Sequence, residues 1–410
     1  MCITYENGDY FTFCPLGSIG WLSKRIPDSF YLVIGSLNCA YFLQSHNGFR
    51  MFEDMRFACA VFEESDINST VSAASVKPFV EEIFAKNNPK LIFLMGSCIC
   101  EILKIDMKKI SQELSSQFNI PVIDIKISGF DSVWTQGEDA VLSGLIDLCP
   151  KDTETDKKKV LFLGSSSTEE TDQLREEVEN LGIPVEGFLP SYDLDNLPVV
   201  NHNTVIVPLQ PFITNTLEKI KRTRKSSIIT SQFPFGPDGS RNFFETIAGF
   251  FNLSHRNLSL QESMTWESLE TEREIIRNKK IFFIGDNMLE IPLARFLHNA
   301  GARIVEVGVP YIHSIYNSRD LEILQKENIP VFEAPDNFKQ LKRIQTIVPD
   351  LIISPLSLSY PLEKLGFKTI WSIKFILPDI RGFSNAWRLF NIFTTPLKQG
   401  NCNAAVSLSI

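Results

Sequence analysis

The chain has 410 residues, 44% of them apolar and 22% charged, which suits a folded protein of two or three domains and excludes a disordered one. Its net charge of -9 argues against a general nucleic-acid binder, because phosphate binding needs a basic face. The opening "MCITYENGDYFTFC" lacks a basic segment followed by an apolar one, and no apolar run approaches a membrane span, so a soluble intracellular protein is expected.

Short apolar, β-branched runs recur along the chain. In order they are "FYLVIG" (30–35), "LIFLMG" (91–96), "PVIDIK" (121–126), "VLFLG" (160–164), "NTVIVP" (203–208) and "SSIIT" (226–230). "IFFIG" (281–285), "ARIVEVG" (302–308), "IPVFEA" (329–334), "DLIIS" (350–354) and "KTIWSI" (368–373) follow. Most end in turn residues and lead into a helical pattern, which predicts parallel sheets covered on both faces. Two polar stretches interrupt the alternation: "CPKDTETDKKKV" (149–160) reads as a linker, and "TWESLETEREIIRNKK" (265–280) as a charged helix before a fresh strand. The expected fold class is therefore α/β, with three doubly wound, Rossmann-like domains at about 1–150, 155–270 and 278–400, and a C-terminal tail at 401–410.

In a reducing compartment disulfides are disfavoured, so the eight cysteines are read as core residues, metal ligands or redox groups. Ligands of open parallel sheets sit beyond the carboxyl ends of strands, where helices begin. Cys39 lies there, in "FYLVIGSLNC", and Cys98 lies there by the same strand-Gly-Ser construction, in "LIFLMGSC". Cys14 precedes Pro15, a residue suited to a first helical turn. Three thiols at three helix starts could share a metal or an iron–sulfur group, stabilised as thiolates by helix N-termini. The spacing matches neither a zinc ribbon nor a ferredoxin run, so three core thiols stand as the other reading. Cys100 lies about 200° around a helix from Cys98 and is expected in packing. Cys59, Cys149, Cys2 and Cys402 are likewise read as structural. The five histidines do not cluster; His46 alone follows a cysteine-bearing helix, and His298 reads as a surface residue at a helix end. No Walker loop, dinucleotide fingerprint, nucleophile elbow or zinc-protease motif occurs.

Longer stretches carry a specific resemblance. "YFTFCPLGSIGWLSKRIPDSFYLVIGSLNCAYFLQSHNG", "MGSCICEILKID", "GFDSVWTQGEDAVL", "IFFIGDNMLEIPLARFL", "VEVGVPYIHSIYNSRDLEIL" and "LEKLGFKTIWSIKFILPDIRGFSNAWRLFNIFTTPL" run in collinear order over nearly the whole chain. They resemble the N-subunit family of light-independent (dark-operative) protochlorophyllide reductases, which is nitrogenase-like. The resemblance implies three α/β domains like those of the nitrogenase molybdenum–iron protein, and pairing with a B subunit in an N2B2 heterotetramer. It implies a [4Fe-4S] cluster held by Cys14, Cys39 and Cys98, with the fourth ligand from the B subunit. A separate L protein would hydrolyse ATP and deliver electrons, in keeping with the missing Walker loop. The implied reaction reduces the C17–C18 double bond of ring D in protochlorophyllide to give chlorophyllide a, for chlorophyll synthesis in the dark. Phe13 and Trp371 match pigment-wall positions; core aromatic is the alternative for each. The proton donor is expected from the B subunit and the substrate, and no catalytic acid is named in this chain. The same resemblance implies the plastid stroma for an algal host or the cytoplasm for a cyanobacterial one. "GFRMFEDMRF" (48–57) departs from the family pattern by lacking its proline and shifting its charges. Two related readings share the architecture: a chlorophyllide reductase subunit, and a cofactor-assembly scaffold without turnover.

Overall fold

A computed structural model describes residues 3–47, 56–62, 71–127, 129–130, 132–151, 157–254 and 257–398. Most of the divergent 48–57 stretch, the middle of the 149–160 linker and the 401–410 tail lie outside them. Among the described residues no helix is long and apolar enough to cross a membrane.

The continuous apolar runs become strands buried on both faces, as they must to keep their side chains from water. Strand β1 (Ile3–Tyr5) precedes a first sheet of β2 (Ser29–Gly35), β3 (Phe57–Val61), β4 (Leu91–Gly96) and β5 (Val122–Ile125), ordered β3-β2-β4-β5. β2 is buried at every position, each large apolar side chain contributing about 1.5–3 kcal/mol. A second sheet has β6 (Lys159–Leu163), β7 (Val185–Leu189), β8 (Thr204–Pro208) and the short β9 (Ser227–Ile228), ordered β7-β6-β8-β9. The third has β10 (Lys280–Phe283), β11 (Arg303–Val309), β12 (Val331–Glu333), β13 (Leu351–Ser354) and β14 (Thr369–Trp371). Its order is β1-β12-β11-β10-β13-β14, and the strand pairs of all three sheets are parallel.

The α/β expectation holds, with differences at the edges. β3 and β7 were not anticipated as strands: "FACAV" is short, and "VEGFL" carries Glu186 and Gly187 inside it. "SSIIT" shortens to two residues. The largest difference is β1, which belongs to the third sheet although the sequence division puts it in the first unit: Ile3 pairs with Val331. The segment after it is fastened to the same sheet. Glu6 receives Arg343 at 2.8 Å, the Gly8 N–H donates to Ala334 O at 2.9 Å, and the Phe11 N–H donates to Asn337 Oδ1 at 2.7 Å.

Each sheet has one point where the chain reverses its direction of travel. The connections leaving β2 and β4 diverge, as do those leaving β6 and β8, and those leaving β10 and β13. Each divergence opens a crevice at the carboxyl ends of the strands. One continuous apolar core contains side chains of all three sheets, among them Phe93, Leu161 and Phe283. Ion pairs join the second and third units: buried Glu170 with Arg381 at 2.8 Å, and Asp238 at 2.6 Å from the buried Arg295, which Asp320 of its own unit also holds at 2.8 Å.

The "WTQGEDA" stretch is built into these joints. Glu138, fully buried, accepts the Trp21 indole N–H at 2.7 Å and the Ser165 N–H at 2.6 Å. Asp139 accepts the N–H groups of Asn215 and Thr216 at 2.8 Å each, at the start of helix Thr214–Thr223. A Cβ at Gly137 would lie 2.3 Å from Pro15 O and 2.2 Å from Ser18 Oγ, so only glycine lets helix Gln136–Leu145 lie against the turn that follows Cys14. Gly137→Ala is expected to cost about 3 kcal/mol or more, as overpacking against backbone does. Gly17→Ala, where a Cβ meets nothing within 4 Å, should stay within about 0.5 kcal/mol of the parent. Urea unfolding of the two variants measures the contrast, and equal midpoints would show that the turn can yield.

Candidate functional site

The crevice of the first sheet is shaped by two strand ends in contact. The Ser97 N–H donates to Ile34 O at 2.8 Å, and a Cβ at Gly35 would lie 2.6 Å from Ser97 Oγ. With glycine there, the loops leaving β2 and β4 run side by side, and the next residues start helices Leu37–Asn47 and Cys98–Ile102. Cys39 falls in the first turn of the former, its N–H bonded to Ser36 O at 3.1 Å, and Cys98 is the first residue of the latter. Cys14 stands immediately before the 3₁₀ turn Pro15–Ser18. Pro15 has no N–H to leave unsatisfied in that first turn.

The three thiols chosen from the sequence come together. Cys14, Cys39 and Cys98 line one cavity of about 30 Å³, closed otherwise by Gly96, Ser97, Ile127 and Gly129 among others. A Cβ at Gly129 would lie 3.1 Å from Cys98 Sγ, so the small residue keeps that thiol's approach open. Burial pushes the Cys14 thiol up to about 11; the Leu16 N–H acts the other way, and the Cys98 and Cys39 sulfurs add to the rise. Among the described residues no three His, Cys, Asp or Glu side chains could hold one metal ion. A four-iron cluster makes a different demand, because each thiolate binds its own iron and the sulfurs stay apart.

Cys100 faces away, as its rotation predicts. It is buried in a separate apolar cluster and its thiol donates to Ile34 O at 3.4 Å. Cys149 is buried and donates to Leu145 O at 3.4 Å, and burial pushes its thiol up to about 12. Cys59 is half-buried on β3, opposite Val33 of β2. Cys2, Cys402 and the side chain of His46 lie outside the described residues. His298 is partly exposed near the end of its helix, 3.9 Å from Glu327.

Phe13 and Trp371 also come together, from opposite ends of the chain. Their ring centroids are 6.0 Å apart, and both side chains are half-buried. Trp134 packs edge-on against Phe13 at 6.2 Å, and Trp21 edge-on against Trp134 at 5.5 Å. Phe13 adjoins Cys14 in the chain, so this aromatic group follows directly on one of the thiol-bearing residues. Sequence reasoning missed Trp134, which is visible only as part of "SVWTQGEDA". It also missed Thr12, Asp286 and Ser372, which join across large sequence separations and leave no local pattern.

A model of the nitrogenase component 1 type oxidoreductase family matches residues 14–396. A relative from Heliobacterium modesticaldum, named light-independent protochlorophyllide reductase subunit N, is 39% identical over 96% of this chain and 95% of its own. Proteins of the same name from Chlorella vulgaris and Chlorobaculum tepidum are 38% and 39% identical, each over 96% of this chain and 93% of theirs. Among solved structures, a nitrogenase chain (Cp1, pH 6.5) superimposes with a TM-score of 0.76 at 17% identity, over 94% of this chain and 92% of that one, a likeness of fold.

The placement of the thiols predicts their reactivity. Alkylation of the folded, metal-free chain at neutral pH should leave Cys100 and Cys149 unmodified, and both should label after unfolding in urea. Peptide mass mapping reads this out; labelling of Cys100 in the folded chain would overturn its place in the core.

Proposed function

The chain belongs to the nitrogenase component 1 type oxidoreductase family, and from that premise we propose that it serves as the N-type subunit of a light-independent protochlorophyllide reductase. In this reading Cys14, Cys39 and Cys98 are three ligands of a [4Fe-4S] cluster, and Phe13 and Trp371 form part of the wall against which the pigment lies. The observation that carries the reading is the meeting of three thiols from separate segments around one cavity, with the Phe13–Trp371 ring pair next in the chain to Cys14.

The donor set suits such a cluster. Three sulfurs face one cavity, and among the described residues that line it there is no carboxylate or imidazole. A cavity of about 30 Å³ has room for roughly one water, far less than four irons and four sulfides occupy. The group therefore belongs at the surface of this chain, where a B-type partner supplies the fourth ligand and covers it. When bound, the cluster supplies one-electron chemistry at the edge of the pigment site. This chain's own contributions are to hold three thiolates in place, to present a flat apolar face, and to exclude water from it. Electrons come from a separate ATP-hydrolysing L-type protein, since no nucleotide loop is encoded here. The product is chlorophyllide a, by reduction of the C17–C18 bond of protochlorophyllide. The setting is the stroma of a plastid or the cytoplasm of a photosynthetic bacterium.

Anaerobic purification with the B-type partner should give a coloured complex with about four irons per pair. With L-type protein and ATP it should convert protochlorophyllide to chlorophyllide. Cys98→Ser should strip or destabilise the iron while Cys100→Ser leaves the iron content unchanged. An iron-free complex that still reduces pigment would sink the proposal.

A further inference from the structure

The aromatic group beside the thiols is not placed by packing alone. It is tied to the loop that leaves β10, at the reversal point of the third sheet. Glu290 shapes that loop: its Oε1 accepts the N–H groups of Asp286 and Asn287 at 2.8 and 2.9 Å. A Cβ at Gly285 would lie 2.3 Å from Gly308 O, so the loop lies directly against the end of β11. Asp286 and Asn287 are both buried.

From there the two residues reach the segments of Phe13, Trp134 and Trp371 through their main chain and chain neighbours. Ser372, which follows Trp371, donates its hydroxyl to Asp286 Oδ2 at 2.8 Å, and Asn287 Nδ2 donates to Ser372 O at 3.1 Å. Thr12, which precedes Phe13, donates to the Asp286 carbonyl at 3.4 Å, and the Trp134 N–H donates to the same threonine hydroxyl at 3.4 Å. Thr135, which follows Trp134, donates to the Asn287 carbonyl at 3.0 Å. Three segments distant in sequence are thus referred to one rigid loop.

We propose that Asp286 is a positioning residue for the flat apolar substrate, fixing the spacing of Phe13, Trp134 and Trp371 through its carboxyl bond to Ser372 and its main-chain carbonyl bond to Thr12. The inference rests on the proposed function, in which these rings face the pigment. Burial, reinforced by the neighbouring Glu290 charge, holds the Asp286 carboxyl well above the usual carboxylate range, with the Ser372 hydroxyl acting the other way. Toward Ser372 the side chain works as a hydrogen-bond acceptor, a role an amide oxygen can fill. Of the Ser372 and Thr12 links only that to Ser372 is made by the carboxyl, the Thr12 hydroxyl going to the Asp286 main-chain carbonyl, so the side chain acts on Trp371.

The test uses the complex co-purified with its B-type partner and titrates protochlorophyllide by absorbance and by tryptophan fluorescence. Asp286→Ala should weaken pigment binding and raise KM about fivefold, leave kcat within about threefold, and leave iron content unchanged, since the carboxyl's hydrogen bond from Ser372 is lost while the main-chain link to Thr12 remains. Asp286→Asn should restore binding to within about twofold. Ser372→Ala should reproduce most of the Ala effect and Thr12→Val less; these two single-hydroxyl changes carry the test if Asp286→Ala does not fold. Unchanged pigment affinity in both Asp286→Ala and Ser372→Ala, or an Asn variant as impaired as Ala, overturns the inference. A parent complex that takes up no protochlorophyllide overturns the functional reading instead, before any variant is compared.

Discussion

A buried carboxylate holds the middle of this protein. Glu138 has no access to water, yet it stands between an indole N–H of the first unit and a main-chain N–H at the end of β6 in the second. Burial raises its affinity for a proton, and the Ser165 N–H, the Trp21 indole and the Arg381 charge oppose that rise. An acid in such a place is tolerable only if both oxygens are occupied, so the two units cannot shift without leaving it unpaired. The helix that carries Glu138 also carries Gly137, which seats the turn after Cys14, and Asp139, which caps helix Thr214–Thr223. One short stretch thus sets the relation of the first sheet to the second and the position of a thiol.

The three reversal points are used differently. That of the second sheet is filled: Arg381 bonds to Glu170, to Leu209 O and to Ser165 O, and Gln210 Nε2 also reaches Ser165 O. A crevice closed by a buried ion pair is a joint rather than a binding place. That of the third sheet holds the hydrogen-bonded loop of Asp286 and Asn287, which faces the other segments through hydroxyls. Only the first remains lined with thiols and small residues. The division leaves the ligand-holding role to the first unit and the bracing roles to the others, while the ring group sits on the seam between first and third.

Much of this was legible in the sequence. Cys39 and Cys98 could be chosen over Cys100 because a strand, a glycine and a serine precede each, and because two residues along a helix turn a side chain away. The strands of continuous apolar residues could be placed within one or two positions. What could not be read depends on partners far along the chain. "ITY" has one half-buried residue and two exposed ones, and nothing local assigns it to a sheet more than three hundred residues away. "IGDNML" showed no ligand-binding fingerprint, and Asp286 acquires its role only through Ser372 and Thr12. Phe13 and Trp371 could be named through resemblance alone, since apolar aromatics look alike in cores and in pigment walls.

The pairing of Ile3 with Val331 has a consequence for how the protein is made. β1 pairs with β12, a contact across more than three hundred residues that closes only when the third sheet does. The three thiols do not wait for it: two follow strands of the first sheet, and the turn after Cys14 is seated on helix Gln136–Leu145 of the same unit. The last long-range pairing to form thus ties the two ends of the chain together, and a three-residue strand serves as the clasp on units already built.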